Sequence, residues 1–308
     1  ADFEGICSAH AMVLRAKPGA VLPEFLPFFM QSDLFMDRAL SISVGSLSPT
    51  INWKALAAEE FLLPPIQEQA RLVDCFQSLE SAIHSLQNLK IAAEQAFKSA
   101  CISFGHQLLA DVTLPSYRLD EVGELILGRQ RSPHYQTGQH TKPYLRVANV
   151  FDGFITTDDV LEMDFDERDF EKYVLRSGDI LLNEGQSREL VGRSAIFKGE
   201  VSSCCFQNTL IRFRSEILLP EFAHSFFRFM LYSGKFVELS SQTSSIAHIG
   251  LGRLKSVEIS VPSIGDQKDW IRHINALEEQ SVAAGLRLEQ MASFMKRLSS
   301  QEFGGASA

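Results

Sequence analysis

The chain has 308 residues, enough for two domains with separate cores. Hydrophobic residues at 45% and charged residues at 22% are the proportions of a soluble globular protein, and no apolar run approaches the ~20 residues that span a bilayer. The net charge of −9 argues against bulk, sequence-blind binding to nucleic acid, while leaving local basic surfaces open.

The opening "ADFEGICSAH" carries no signal-peptide pattern and reads as the interior of a domain. Cys7, Cys75, Cys101, Cys204 and Cys205 are odd in number and form no CxxC pair. That argues against a disulfide framework and against metal ligation, and points to reduced core thiols in a cytoplasmic protein. "AMVLRA" (11–16) predicts a strand, and "LPEF" (22–25) opens a helix, with Pro23 in the first turn where a missing N–H costs nothing. Phe25, Phe28, Phe29 and Leu34 recur at helical spacing as a core stripe. The Ser/Thr-rich "SISVGSLSPT" (41–50) reads as a loop, followed by a short helix or turn and a strand ending in proline.

From about Gln67 to about Leu109 apolar residues step by threes and fours, close to a heptad seam that includes Phe76, Leu79, Ile83, Leu86 and Phe97. No proline interrupts it, and ~40 residues at 1.5 Å each give a rod of about 60 Å. Residues 115–196 then form the front of a globular unit. After them the earlier order returns: strand "TLIRFR", helix "LPEF" (219–222), loop "LSSQTSSIAH", short helix, strand, proline, long helix. Cys7 pairs with Cys204, Arg15 with Arg212, Ile51 with Ile249, Leu56 with Leu254, Pro64 with Pro262, Ile66 with Ile264 and Gln69 with Gln267. The second long helix is expected from about Asp266 to about Leu298, with Ile274, Leu277, Leu288 and Met291 on its seam. A long helix with one apolar stripe needs a partner, and the simplest partner is the other helix. Residues 115–196 have no counterpart ahead of Ala1, so the first globular unit is expected to lack its front half.

The two "PxxxxQ" junctions opening long helices, "PYLRVANV" (143–150) and "LRSGDILLNEGQSRELVGRSAIF" (175–197) together resemble the specificity subunit of type I restriction-modification systems. The resemblance runs in register with the repeat. It implies an α+β fold: two target-recognition domains, the first incomplete, separated by two long antiparallel coiled-coil helices related by a pseudo-two-fold internal repeat. The divisions expected are 1–65, the C-terminal half of the first recognition domain; 66–110, the first long helix; 111–263, the second recognition domain; 264–300, the second long helix; and 301–308, a tail. It further implies a non-catalytic chain that reads a bipartite site in double-stranded DNA. The helices would set the half-site spacing and dock methyltransferase (modification) subunits. Restriction motor subunits would join through the complex. The chain itself would bind no cofactor, S-adenosylmethionine, ATP and Mg being held by partner subunits. Two alternatives stay open: the recognition region of a fused restriction-methyltransferase enzyme, and a coiled-coil adaptor that binds proteins alone.

Catalytic parts are not found in the sequence. There is no GxGxxG or GxxxxGK[ST] phosphate loop, no Asn/Asp-Pro-Pro-aromatic tetrad, no HExxH and no GxSxG. The run "TDDVLEMDFDERDFEKY" (157–173) holds eight acids and reads as a solvated face.

Charge is placed unevenly. Residues 128–149 contain no Asp or Glu, but carry Arg129, Arg131, Lys142 and Arg146 among His134, Tyr135 and Asn149. Phosphates need fixed cations, and base edges need bidentate donors and acceptors, the work of Arg, Asn and Gln. A second candidate is 183–193, where Gly185 permits a tight turn and Gln186, Ser187, Arg188 and Arg193 project, with Glu184 and Glu189 placed either to orient the arginines or to accept from cytosine N4. A third is the loop 240–245 with Thr243. Each segment has a plain alternative as a polar surface loop. Arg15 and Arg212 fall inside strands and read as structural.

Overall fold

Uninterrupted apolar periodicity yields two long helices, and the strand-rich sequence between them yields a β-rich module. The computed structural model describes residues 5–8, 11–45, 49–132, 136–242 and 246–304. It divides into two compact units, one of residues 1–92 and 281–308, the other of residues 93–280. The elements in chain order are α1 (Leu26–Met30), α2 (Asp33–Ser41), α3 (Trp53–Ala57), α4 (Ile66–Ala110), β1 (Ser116–Arg118), α5 (Leu119–Val122), β2 (Glu124–Leu127), β3 (Thr141–Leu145), β4 (Leu161–Asp164), α6 (Glu167–Tyr173), β5 (Ile180–Asn183), β6 (Gly185–Gln186), β7 (Ser194–Ile196), β8 (Cys205–Phe206), β9 (Leu210–Arg214), α7 (Pro220–Tyr232), α8 (Lys235–Leu239), β10 (Ser241–Gln242), β11 (Ala247–His248), α9 (Leu251–Lys255), β12 (Glu258–Ser260) and α10 (Ile264–Gly304).

In the first unit the opening turns of α4 lie beside the closing turns of α10. Phe76 stacks on Phe303 at 5.7 Å between centroids, and Arg71 stands 3.7 Å from Glu302. Phe25, Phe28, Phe29, Leu72, Val73, Phe76 and Phe303 form its core, with Leu79, Met295 and Leu298 packed against them. In the second unit the end of α4 meets the start of α10, where Phe104 approaches Trp270 at 4.8 Å. Within each unit the helices therefore run antiparallel. The helix α10 continues past the expected Leu298 to Gly304, because Phe303 supplies one more buried side chain, 4% exposed.

The second unit holds a four-stranded antiparallel sheet of order β2-β9-β5-β7. A three-stranded sheet β4-β3-β8 adjoins it in sequence, with β3 and β8 parallel. Its main core joins Phe97, Cys101, Phe104 and Leu108 of α4 and Ile274 of α10 to Phe222, Phe226, Phe227 and Phe229 of α7. The central strand β9 carries Arg212, 2% exposed, which donates to the carbonyls of Lys172 and Val174 and pairs with Glu124. Burial pushes the Cys101, Cys204 and Cys205 thiols up to about 12, so they are inert packing groups. Cys7 is exposed and is no core thiol.

The repeated proline junction has a common purpose in both units. Gln69 is 1% exposed: its Oε1 accepts from the Leu22 N–H, and its Nε2 donates to the carbonyls of Ala20 and Pro64, each at 2.9 Å. Gln267, also 1% exposed, accepts from the Leu219 N–H at 2.9 Å and donates to the Pro262 carbonyl at 3.1 Å. Leu22 and Leu219 are the first residues of the two LPEF motifs. Each amide thus ties the start of a Phe-rich helix to the start of a long one. A Gln267→Leu change leaves two buried polar groups unpaired, at a cost of about 2–4 kcal/mol. Urea unfolding followed by circular dichroism should show that loss with an unchanged m-value.

Three sequence expectations fail in the first unit. The Phe-rich helix breaks after Met30, because Ser32 caps a new helix by accepting from the Phe35 N–H. Its repeat counterpart, Phe229, is apolar and fully buried, so α7 runs on. "AMVLRA" forms no strand. Its counterpart β9 is held between β2 and β5, and no such flanking strands accompany residues 11–16 among the described residues. Likewise β12 pairs with β1, while residues 60–62 have no equivalent partner there and form no strand.

Candidate nucleic-acid interface

The first polar segment is folded around an acid. The Asp164 side chain accepts from the Thr137 and Gly138 N–H groups and from the hydroxyls of Thr137 and Thr141. Gly138, at φ +76°, lets the chain wrap the carboxylate. Burial pushes this carboxyl up, but the bonds from Thr137, Gly138 and Thr141 outweigh it and hold it at about 2. Its folded value lies below the unfolded one, so its contribution is complete above the ordinary Asp range and is lost as pH falls through about 2. An Asp164→Asn variant should therefore be less stable than wild type at pH 7, with the difference shrinking towards pH 2. Thermal melts across that range check it. The acidic run read as a solvated face thus contains an inward anchor, Asp164, and a helix cap, Asp166.

Around this anchor the candidate residues separate. Arg129 is turned inward: its side chain is 11% exposed, pairs with Asp169 at 2.6 Å, donates to the Asp164 carbonyl and lies over the Phe165 ring. It braces α6 and β4 and has little surface left for a duplex. Asn149 is fully buried, bonded to the Arg146 N–H and to the carbonyls of Thr156 and Asp159, and serves as a loop brace. Arg146 pairs with Asp159, and Lys142 sits over Phe170 at 5.1 Å. Arg131, Gln136, Gln139 and His140 are exposed, and Arg131 has no ion-pair partner among the described residues. His134 and Tyr135 lie outside the described residues.

The second and third segments, far apart in sequence, share one sheet of order β10-β11-β6. Gln186 lies opposite Ala247, and Ser241 opposite His248. Gly185 lies in β6 rather than in the tight turn expected of it; the ring of His248 needs its space, and a Cβ there would stand 2.7 Å from Cε1. Glu184 pairs with His248 at 3.0 Å rather than with an arginine. Gln186 accepts from the Ser187 N–H, and the Ser187 carbonyl holds the turn that leaves Arg188 exposed. Arg193 folds back over the Phe151 ring at 4.6 Å with its Nε buried and unpartnered, and this desolvation lowers its pKa. Thr243 lies outside the described residues. His248, with a side chain 44% exposed, and Arg253, exposed on α9 just beyond it, join this surface, and neither is marked by any motif in the sequence. Their only sequence signal is position, directly after the third loop.

The first two segments meet at a strip of backbone, residues 206–209, and the third is tied to the second. The Arg129 N–H donates to Phe206 and the Asn208 N–H to Arg129. The Thr209 hydroxyl accepts from the Val147 N–H, and its carbonyl from the Glu184 N–H. The Ile249 N–H then donates to the Glu184 carbonyl. The bases of all three loops are thus fixed to each other, while Arg131, His140, Arg188 and Arg253 stay exposed. Fixed cations and amides on exposed loops suit phosphate and base-edge contacts.

Of the seam residues, Phe76 and Ile274 are buried, and Leu79, Ile83, Leu86, Leu277, Leu288 and Met291 are half-buried. Phe97 differs in its partner: it packs on Tyr232 and Arg228 of α7. No group of His, Cys, Asp and Glu able to hold a metal occurs among the described residues, and no helix is long and apolar enough to cross a membrane.

A match to the family described as "Type I restriction modification DNA specificity domain" covers residues 113–283. The type I restriction enzyme EcoKI specificity subunit of Escherichia coli (strain K12) is 22% identical along an alignment 299 residues long that covers 89% of this chain and 62% of that one. This chain therefore spans less than two thirds of that relative's length. The HsdS subunit from Thermoanaerobacter tengcongensis aligns with a TM-score of 0.54 at 17% identity, over 93% of this chain and 70% of that one. A chain from a structure of complex assembly and conformational transition in a type I R-M system reaches 0.60 at 19% identity, over 92% and 70%. These structural likenesses establish the α+β fold with its two long helices.

Proposed function

The chain belongs to the type I restriction modification DNA specificity domain family, and on that premise we propose that it is the non-catalytic sequence-reading component of a type I restriction-modification complex. Residues 111–263 are its second recognition domain, and residues 1–65 are the C-terminal half of a first. The helices of 66–110 and 264–300 are spacer and docking surface for methyltransferase subunits, and motor subunits join through the complex. S-adenosylmethionine, ATP and Mg act in those partners, in the cytoplasm.

The observation that carries this reading is that the bases of three polar loops are tied together, the first two through the strip 206–209 and the third through Glu184, while Arg131, His140, Arg188 and Arg253 of these segments stay exposed. The set proposed to meet the duplex is those four with Lys142, Gln186, Ser187 and His248. Arg129, Arg146, Asn149 and Arg193 support it from beneath. One basic face suffices for a chain of net charge −9, since its other faces need not approach DNA.

The test is binding of the assembled chain and methyltransferase subunits to duplex DNA across a salt series. Each phosphate neutralised contributes a slope of about −0.9 in log affinity against log salt. Selective binding with such a slope supports the reading. A complex that assembles but binds all duplexes alike, or none, contradicts it and favours an adaptor for proteins.

A further inference from the structure

Arg228 is a buried cation of the second unit with all three guanidinium nitrogens bonded, and it is not among the residues proposed to meet the duplex. It lies on α7, with its side chain 5% exposed. Nη1 and Nη2 grip both carboxylate oxygens of Glu278 on α10, at 2.9 and 2.6 Å. Nε donates to Asp152 Oδ1 at 3.2 Å. One turn later on α7 the Tyr232 hydroxyl donates to the other oxygen of Asp152 at 2.5 Å. The guanidinium lies over the ring of Phe97 on α4, 5.0 Å from its centroid.

Asp152 belongs to the turn Phe151–Phe154, closed by the Phe151 N–H on the Phe154 carbonyl. This turn follows the loop braced by Asn149, and Arg193 of the second reading segment stacks on its Phe151. Its Gly153, at φ +85°, has no room for a side chain: a Cβ would stand 1.9 Å from Arg228 Nη2. One guanidinium therefore joins the base of the reading face to both long helices.

Stability alone does not explain this choice. A buried ion pair recovers little beyond its desolvation cost, and an apolar cluster of the same volume would hold as well. What a planar fork adds is direction, because two parallel bonds to one carboxylate fix an angle that sliding apolar contacts leave free. We propose that the Asp152–Arg228–Glu278 cluster is a latch that sets the angle between the recognition domain and the helix pair, and so sets where on the duplex its half-site must lie. This rests on the DNA-reading function proposed above. Base pairs follow each other every 3.4 Å or so, and a shift of the loops by about that distance changes the preferred spacing by one pair. Arg228, Asp152 and Glu278 are positioning residues, with no contact to DNA.

The experiment takes the complete complex with Arg228→Lys, Arg228→Met or Glu278→Gln in this chain. Methylation is measured on duplexes whose half-sites are separated by the native spacer or by one pair more or fewer. Binding to a duplex with the second half-site alone and the melting temperature are measured in parallel. The latch predicts half-site binding close to wild type, with the preference for the native spacer falling by as much as about 100-fold. Arg228→Lys keeps the charge and loses the fork, and should not restore the preference. Glu278→Gln keeps part of the bonding and should fall between, and it covers the case in which Arg228→Met does not fold. Wild-type spacer preference in folded variants overturns the latch, and so does equal loss of activity at every spacer. A wild-type complex with no spacer dependence overturns the function beneath it as well.

Discussion

Replacing Arg131 and Arg188 together by alanine is expected to remove most sequence selectivity while leaving the fold and the assembly of the complex intact. Both side chains are exposed and without ion-pair partners among the described residues, so their loss breaks no packing. If each guanidinium grips a base edge, its removal costs about 1–3 kcal/mol of discrimination at one position. If instead they meet phosphates, affinity falls alike for all sequences, and the salt slope shrinks by about 0.9 for each phosphate no longer neutralised. Fluorescence anisotropy on cognate and mismatched duplexes separates the two outcomes. Unchanged affinity and selectivity in the double variant would remove both loops from the interface. Arg129→Ala should behave differently, since its guanidinium holds Asp169 and the Asp164 carbonyl; it should lower the melting temperature before it alters the salt slope.

Phe76→Ala should have the largest effect on stability. Phe76 is 1% exposed and stacks on Phe28 at 5.2 Å and on Phe303 at 5.7 Å. Truncating such a side chain costs about 3–5 kcal/mol, the upper end applying where neighbours cannot close the cavity. Those neighbours are aromatic rings on two other elements, α1 and α10, and little collapse is open to them. The core of this unit is small, so the first unit should unfold at lower urea, while the second unit, with its own core, keeps its transition. Hydrogen exchange resolves the two: amides of residues 66–90 should lose protection and those of β5 and β9 should not. A uniform loss across both units would mean that their stabilities are not separable. A charge at half-buried Leu79 or Leu288 should weaken the same helix pair more mildly, and should change or abolish the half-site spacing.

The parts legible in sequence are those governed by local pattern. The long helices announce themselves by period, and the repeat by its proline and glutamine junctions. Gln69 and Gln267 are buried at equivalent places with equivalent bonds. Features set by distant residues were hidden. Arg129 and Arg131 are two positions apart and look alike in sequence. One is claimed by Asp164 and Asp169, 35 and 40 positions on, and the other is claimed by nothing described. Asp164 sits in an acidic run, and only the return of Thr137, Gly138 and Thr141 makes it an anchor. "AMVLRA" has the composition of a strand, but a strand is a pairing, and its partners decide whether it forms. Gly185 is needed for the ring of His248 and not for a turn, a reason that no local window contains.

The central claim is that this chain gives a methylating complex its target. It is tested most directly by mapping modified bases across the genome of a host that carries the intact system. The account predicts one split motif, two short defined sequences with a fixed gap of undefined bases, and predicts that one half alone changes when residues 128–142, 183–193 and 240–253 are exchanged for those of a relative. A host genome without such modification, or an unbroken motif indifferent to that exchange, would contradict it.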